Sequence, residues 1–394
     1  MQKDLSGNIY RLYLIKIAKW FSLIMPIVVL FFQENGMTMT QIFWLKSVYS
    51  IGIVAFEIPS GYFADILGRK KTLVFGTLLV TLGFSFYGFS TEFWQFLIAE
   101  LVLGIGQSFI SGADSAMLYD TLKHDGNEKK YLKYEGRVIS VGNFSEAIAG
   151  ILGGLLATIS LRTPYFAQIV IAAIAIPAAL TLIEPPNRDI RKSSMRDIFN
   201  VLHHTLIEHS KLRNFILFSS LIGTATLTFA WFMQPLFIEI NLPVALFGVA
   251  WTVLNLIVGF SSMGAHRIEK WFSEKQLTGL IFLILSASFL LTGMSIGYYS
   301  FVIIFVAYIV RGIATPVLKD YIHSLIGSDV RATILSLRDM IIRIIFAMTG
   351  PFWGWFIDHR GLKSGFYAAG LFFFVSGGIL YYYSYYQKNS SSPS

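Results

Sequence analysis

The chain has 394 residues, 55% of them apolar and only 14% charged, with a formal net charge of +8 and no cysteine. Soluble domains carry about 25% charged residues, so this composition excludes a water-soluble globular protein and reads as a polytopic membrane protein. The absence of cysteine excludes disulfides, thiol catalysis and thiolate metal sites. The cations are spread through short loops rather than gathered on one face, which excludes a nucleic-acid partner and fits a chain threaded through a bilayer.

Windows of about 19 apolar residues predict twelve helical spans, near 10–32, 42–61, 72–90, 94–119, 138–160, 164–183, 214–238, 245–265, 277–297, 299–322, 332–357 and 364–386. The first apolar stretch runs about 20 residues without a small-residue cleavage site, so it reads as a span and not as a signal peptide. One long polar stretch, opened by Pro185 and Pro186, separates the sixth span from the seventh. The expected organisation is an all-α membrane protein: a six-helix bundle over 1–184, a linker over 185–213 with an interfacial amphipathic helix, a second bundle over 214–386 and a polar tail over 387–394. With the N-terminus inside, alternate loops collect clusters such as Arg69, Lys70 and Lys71, or Lys129, Lys130 and Lys133; the opposite loops hold only Arg162, Arg360 and Lys363. That bias, about seven to one, predicts an inner (cytoplasmic) membrane protein with both termini cytoplasmic.

The two halves read as repeats. Ala99-Glu-Leu-Val-Leu-Gly-Ile105 in the fourth span matches Ala307-Tyr-Ile-Val-Arg-Gly-Ile313 in the tenth, and Ala149-Gly-Ile-Leu-Gly153 matches Gly350-Pro-Phe-Trp-Gly354. Two matches in the right order predict a six-plus-six architecture with a central site.

Gly61 to Lys71, GYFADILGRKK, joins the second and third spans in a tight hairpin. It resembles the signature loop of the major facilitator superfamily: Gly61, Asp65, Gly68, Arg69 and Lys71 fall at motif positions, while Ile66 replaces a basic residue. The resemblance implies a pseudo-symmetric twelve-helix fold and a conformational latch, with Asp65 facing the amino end of the eleventh helix and Arg69 paired to Asp120. Carboxylates near helix N-termini gain roughly 0.3–1 kcal/mol, so such a latch favours the outward-open state. Glu57, one turn above, joins the same network. The fifth span carries Gly136, Ser145, Ala149, Gly150, Gly153 and Gly154, which resembles the antiporter-associated glycine motif with Gly150 where the family has proline. A generic close-packing face explains the same pattern. The acidic pattern of many drug/proton antiporters is missing from the first span, where Lys16 and Lys19 stand, and Glu100 replaces the arginine usual in the fourth.

Charges far from water carry the remaining signal, because an ionised group near the bilayer centre costs at least about 2.5–3.5 kcal/mol. Lys16, Lys19 and Lys46 lie within two turns of a span end and are expected to snorkel into solvent. Lys319, Asp320, Arg338 and Asp339 are expected to pair among themselves. Glu146, Asp114 and Glu100, in that order, are the candidates for proton coupling, since desolvation raises a carboxylate's pKa toward neutrality. Arg311 and Arg343 are the candidate substrate ligands, able to hold a carboxylate or phosphate bidentately, with Asn143 as a further lining residue. Structural pairing with one another is the alternative for all of these.

His203, His204, Glu208 and His209 have metal-like spacing but sit in the linker, where a solvated helix face is the reading preferred; no metal or cofactor is expected. No phosphate-cradling glycine loop is present, which argues against ATP drive. The expected function is secondary transport of a small organic solute by a monomer, proton-coupled and outward in the resemblance's drug-antiporter branch. The alternative is proton-coupled uptake of an anionic or zwitterionic metabolite. A membrane enzyme would need acids, bases or metal ligands in its loops, which are short and nearly free of them, and a receptor would leave the buried charges unexplained.

Overall fold

The computed structural model describes residues 5, 7–186, 210–326 and 331–386. Helix is the only regular structure among them, as expected where lipid offers the backbone no hydrogen bonds. The elements are α1 (Gly7–Trp20), a 3-10 turn (Met25–Ile27), α2 (Val28–Glu34), α3 (Met39–Leu67), α4 (Arg69–Phe89), α5 (Phe93–Ile110), α6 (Ala113–His124) and a 3-10 turn (Glu128–Lys130). They continue with α7 (Tyr131–Ala157), α8 (Thr163–Thr181), α9 (Ser210–Glu239), α10 (Val244–Glu269), α11 (Glu274–Met294), α12 (Ser300–Ser324) and α13 (Arg331–Tyr385).

Eleven of the described helical stretches are long and apolar enough to cross a membrane. The last covers two passes. Gly361 leaves the helical region at φ 79° and ψ 165°, and Trp353 before it meets Phe372 after it at 5.3 Å between ring centroids. The two limbs of α13 therefore fold back on each other, which gives the twelve spans expected. The expected linker helix, with His203, His204, Glu208 and His209, falls outside the described residues.

The first and fourth spans are broken, which the hydropathy pattern did not show. Between α1 and the turn at Met25 the backbone unwinds. The Leu23 N–H donates instead to the Gln168 side chain at 2.8 Å, and Pro26 opens the new turn. Between α5 and α6 the break falls at Ser111 and at Gly112, whose φ is 79°.

The helices divide into two compact units. One contains residues up to Met37, Trp44 through the sixth span, and Pro243–Thr252; the other contains Thr38–Phe43, α9 to Leu242, and Val253 onward. The opening turns of α3 and α10 thus pack with the unit that does not hold the rest of their helix. Each unit has its own aromatic core. In the first, Phe31, Phe32, Tyr87, Phe96 and Tyr165 are essentially fully buried, with Tyr87 stacked on Tyr165 at 5.4 Å. In the second, Phe229 meets Phe289 and Phe232 meets Phe366, both at 4.9 Å.

Matched repeat positions do matched work. A Cβ at Gly104 would lie 2.6 Å from the Tyr49 carbonyl oxygen on α3, and one at Gly312 would lie 2.5 Å from the Val258 carbonyl oxygen on α10. In each unit a glycine lets the fourth helix of the half lie against the second at backbone contact.

Candidate functional site

The signature loop is built into a polar collar at one end of the first unit. Gly68 adopts φ 102° and ψ 150°, a conformation that needs glycine, and so turns the chain sharply from α3 into α4. The two N–H groups that open α4, those of Arg69 and Lys70, donate to Glu184 Oε1 at 2.9 Å and Oε2 at 2.8 Å. A carboxylate at a helix N-terminus satisfies orphan donors and meets the positive end of the helix dipole. Glu184 is held in turn by Asn8, which is fully buried: the neighbouring Ile183 donates its N–H to Asn8 Oδ1 at 3.0 Å, and its carbonyl accepts from Asn8 Nδ2 at 2.8 Å. Asn8 also donates to Thr121 on α6 at 3.2 Å.

Within this collar Arg69 Nε lies 2.7 Å from Asp120 Oδ2 on α6. The ion pair that the resemblance implies is therefore present. Asp65, in the last turn of α3, is half-buried and makes no hydrogen bond or ion pair among the described residues. The helix start implied as its partner, at Arg331, belongs to the other unit. Gly61 stands exposed with open space where a side chain would be. Glu184 and Asn8 are the residues that sequence reasoning missed. The only trace of the first was an acid just ahead of the Pro185-Pro186 pair that ends the sixth span.

Two lysines expected to reach solvent are instead buried and paired. Lys16 and Lys46 are each 9% exposed. Lys46 forms a short ion pair with Glu100 and lies 5.1 Å from the centre of the Phe32 ring. Glu100, 2% exposed, is sealed with it in the aromatic core. Desolvating two charges is costly, and their mutual attraction offsets the cost only while both are present.

Lys16 donates to Asp114 Oδ2 at 3.3 Å. This pair joins the two broken spans, since Lys16 lies in α1 shortly before its break and Asp114 in the first turn of α6 just after Gly112. Asp114 Oδ1 accepts the Ser115 N–H at 2.8 Å, and the Ser115 hydroxyl donates to Glu135 Oε1 on α7 at 2.8 Å. The result is a run of polar groups from a buried ion pair to a half-buried carboxylate, with Tyr131 beside it on the same helix. Glu146 lies three turns further along α7, half-buried, and Asn143 is exposed beside it.

The glycines of α7 face close backbone neighbours. Gly153 leaves room for the Leu23 carbonyl of the unwound first span, and a Cβ at Gly154 would lie 2.8 Å from the Gly248 nitrogen of α10. Thr252 donates to the Ala147 carbonyl at 3.0 Å. Close packing accounts for this face.

In the second unit Arg338 is 3% exposed and bonded to Ser219 Oγ at 2.6 Å and Asp339 at 2.9 Å. Asp339 also reaches Lys319 at 3.8 Å. Asp320 is exposed and takes no part in the expected cluster. Arg311 and Arg343 are half-buried at mid-helix, and the Arg311 guanidinium lies 5.5 Å from the Tyr308 ring. No cluster of metal-ligating side chains occurs among the described residues.

The family model described as "Major Facilitator Superfamily" matches residues 20–348. The chain belongs to this superfamily. The family match and the long apolar helices make it a multi-pass membrane protein. Among similar proteins, a vacuolar membrane amino acid uptake transporter, fnx2, of Schizosaccharomyces pombe is 27% identical over 52% of this chain and 33% of its own length. Multidrug resistance protein 2 of Bacillus subtilis is 26% identical over 49% of this chain and 45% of its own. A class H tetracycline resistance protein of Pasteurella multocida is 31% identical over 40% and 38%. The matched stretches thus span a third to just under half of these relatives. The fold matches the nucleoside transporter NupG at TM-score 0.79 and 13% identity, covering 98% of this chain and 100% of that one. A D-xylose-proton symporter matches at 0.72 and 12%, covering 95% and 96%.

Proposed function

We propose that this superfamily member is a proton-coupled exporter of a small organic solute, working as a monomer by alternating access in the cytoplasmic membrane with both termini cytoplasmic. The observation that carries the reading is the Lys16–Asp114 pair at 3.3 Å, placed where both broken spans give way. Ionised, Asp114 ties α1 to α6 through Lys16. Protonated, it loses that attraction, and the unwound segments beside it act as joints along which the two helices part. The Ser115 N–H, donating to Asp114 Oδ1, holds the carboxylate in place at the first turn of α6.

Asp114 leads this assignment ahead of Glu146 because its pair with Lys16 joins both broken spans. Glu100 is the weakest of the three candidates, sealed with Lys46 among aromatic rings. The Arg69–Asp120 pair and the Glu184 cap give the signature loop a fixed shape, which supports its use as a latch with Asp65. Export agrees with the names of the resistance relatives. Uptake of an anionic or zwitterionic metabolite is the rival, and the mid-span arginines favour its solute class without favouring its direction.

Everted membrane vesicles loaded with protons test the proposal. Tetracycline and a mixture of amino acids, chosen after the relatives, are added while internal pH is followed by a quenched dye. One of them is expected to release protons in the wild type, not in Asp114→Asn, and again in Asp114→Glu. Equal release in wild type and Asp114→Asn would remove Asp114 from the coupling.

A further inference from the structure

We infer that the solute of this transporter carries an oxyanion, a carboxylate or a phosphate, and that Arg311 and Arg343 are the side chains that hold it. The inference rests on the transporter reading above and adds the chemistry of the cargo to it.

Three arginines lie inside the spans of the second unit, and the structure treats them differently. Arg338 is satisfied by the protein, through Ser219 and Asp339. Arg311 stands at the middle of the 25 residues of α12, and Arg343 about midway along the first limb of α13. Neither has a carboxylate partner among the described residues. The described acids of that unit are all committed or distant. Glu239, Glu269 and Glu274 sit at helix ends, Asp320 is exposed in the last turns of α12, Asp339 takes Arg338 and Lys319, and Asp358 caps α3.

The contrast with the first unit sharpens the point. There the buried cations Lys16 and Lys46 each have a carboxylate of their own. A chain that pairs its buried cations so closely in one unit leaves two mid-span guanidiniums in the other without a carboxylate among the described residues. Ionised side chains at this depth are retained for function.

Tyr308, 2% exposed, lies one turn before Arg311 with its ring 5.5 Å from the guanidinium, and the two side chains share a hydrogen bond. A guanidinium has five N–H donors in a planar fork, so this one contact leaves donors over, and an oxyanion is the ligand chemistry that matches them.

Thermal unfolding of the purified full chain tests this without knowing the natural solute. Benzoate, phenyl phosphate and benzylamine serve as probes of one ring and different charge. Benzoate or phenyl phosphate is expected to raise the wild-type Tm by several degrees while benzylamine does not, and the stronger of the two anions separates carboxylate from phosphate. The shift is expected to vanish in Arg311→Met and Arg343→Met, whose own Tm stays at or above the wild-type value because a half-buried charge with no carboxylate partner among the described residues has been removed. Arg338→Met is expected to melt lower. The inference is overturned if neither anion stabilises the wild type, if the shift survives both substitutions, or if Arg311→Met and Arg343→Met melt as low as Arg338→Met. These readouts are binding and stability, so their failure leaves proton coupling at Asp114 standing. Equally, a failure of coupling leaves the anion shift in place.

Discussion

Asp358, at the end of the first limb of α13, caps the first turn of α3 through Thr40. Its Oδ2 accepts from the Thr40 N–H at 2.8 Å and from the Thr40 hydroxyl at 2.6 Å, while Oδ1 accepts from the Met39 N–H at 2.8 Å. Gly354, one turn earlier, completes the joint: a Cβ there would lie 2.6 Å from the Met39 carbonyl oxygen. The cap sits at the end of α3 far from the signature loop, where Glu184 caps the next helix, α4. Replacing Asp358 by alanine removes three hydrogen bonds and is expected to cost about 1–2 kcal/mol. Because the chain has no cysteine, a single cysteine at buried Ile42 reports the consequence. It is expected to stay unreactive toward a soluble maleimide in the parent protein and to react once Asp358→Ala is added.

The collar at the signature loop depends on one carboxylate reaching two N–H groups. Glu184→Gln puts an amide NH2 against one of those donors and is expected to lower stability by about 1–2 kcal/mol. Gly68→Ala is expected to do as much, since φ is 102° and the added carbon would lie 3.0 Å from the Glu184 carboxylate. Both variants should lower the Tm while leaving the Arg69–Asp120 residues in place. A Tm equal to wild type in Glu184→Gln would remove the cap from the account.

The sealed Lys46–Glu100 pair makes a sharper prediction about energy. Removing one member strands a buried charge and is expected to cost about 3–5 kcal/mol, whereas replacing both by apolar residues of similar size is expected to be near neutral. Thermal unfolding of Lys46→Met, Glu100→Met and the double variant gives the comparison. A double variant no more stable than the worse single one would show that the pair does more than balance its own charge.

The spans, the repeats and the signature loop were legible because hydropathy and tight basic turns are strong local signals. The helix breaks were not. Phe21 to Ile24 and Ser111 lie inside runs that stay apolar or small while the backbone unwinds, and a hydropathy window registers side chains only. Pro26 and Gly112 were the available hints. Lys16 and Lys46 were expected in solvent because distance from a span end was the sole criterion. Their burial is decided by Asp114 and Glu100 on other helices, and which faces meet is a property of packing. Arg69–Asp120 was found because the loop motif names its partner; Glu184, 115 residues from Arg69 in sequence, had no such guide.

The central claim is that proton binding at Asp114 drives transport by releasing Lys16. It is tested most directly in proteoliposomes, by comparing pH-driven accumulation with solute counterflow in wild type and Asp114→Asn. The account predicts that Asp114→Asn loses accumulation and keeps counterflow, since the solute site and the moving helices remain. Accumulation at the wild-type rate in Asp114→Asn would contradict it.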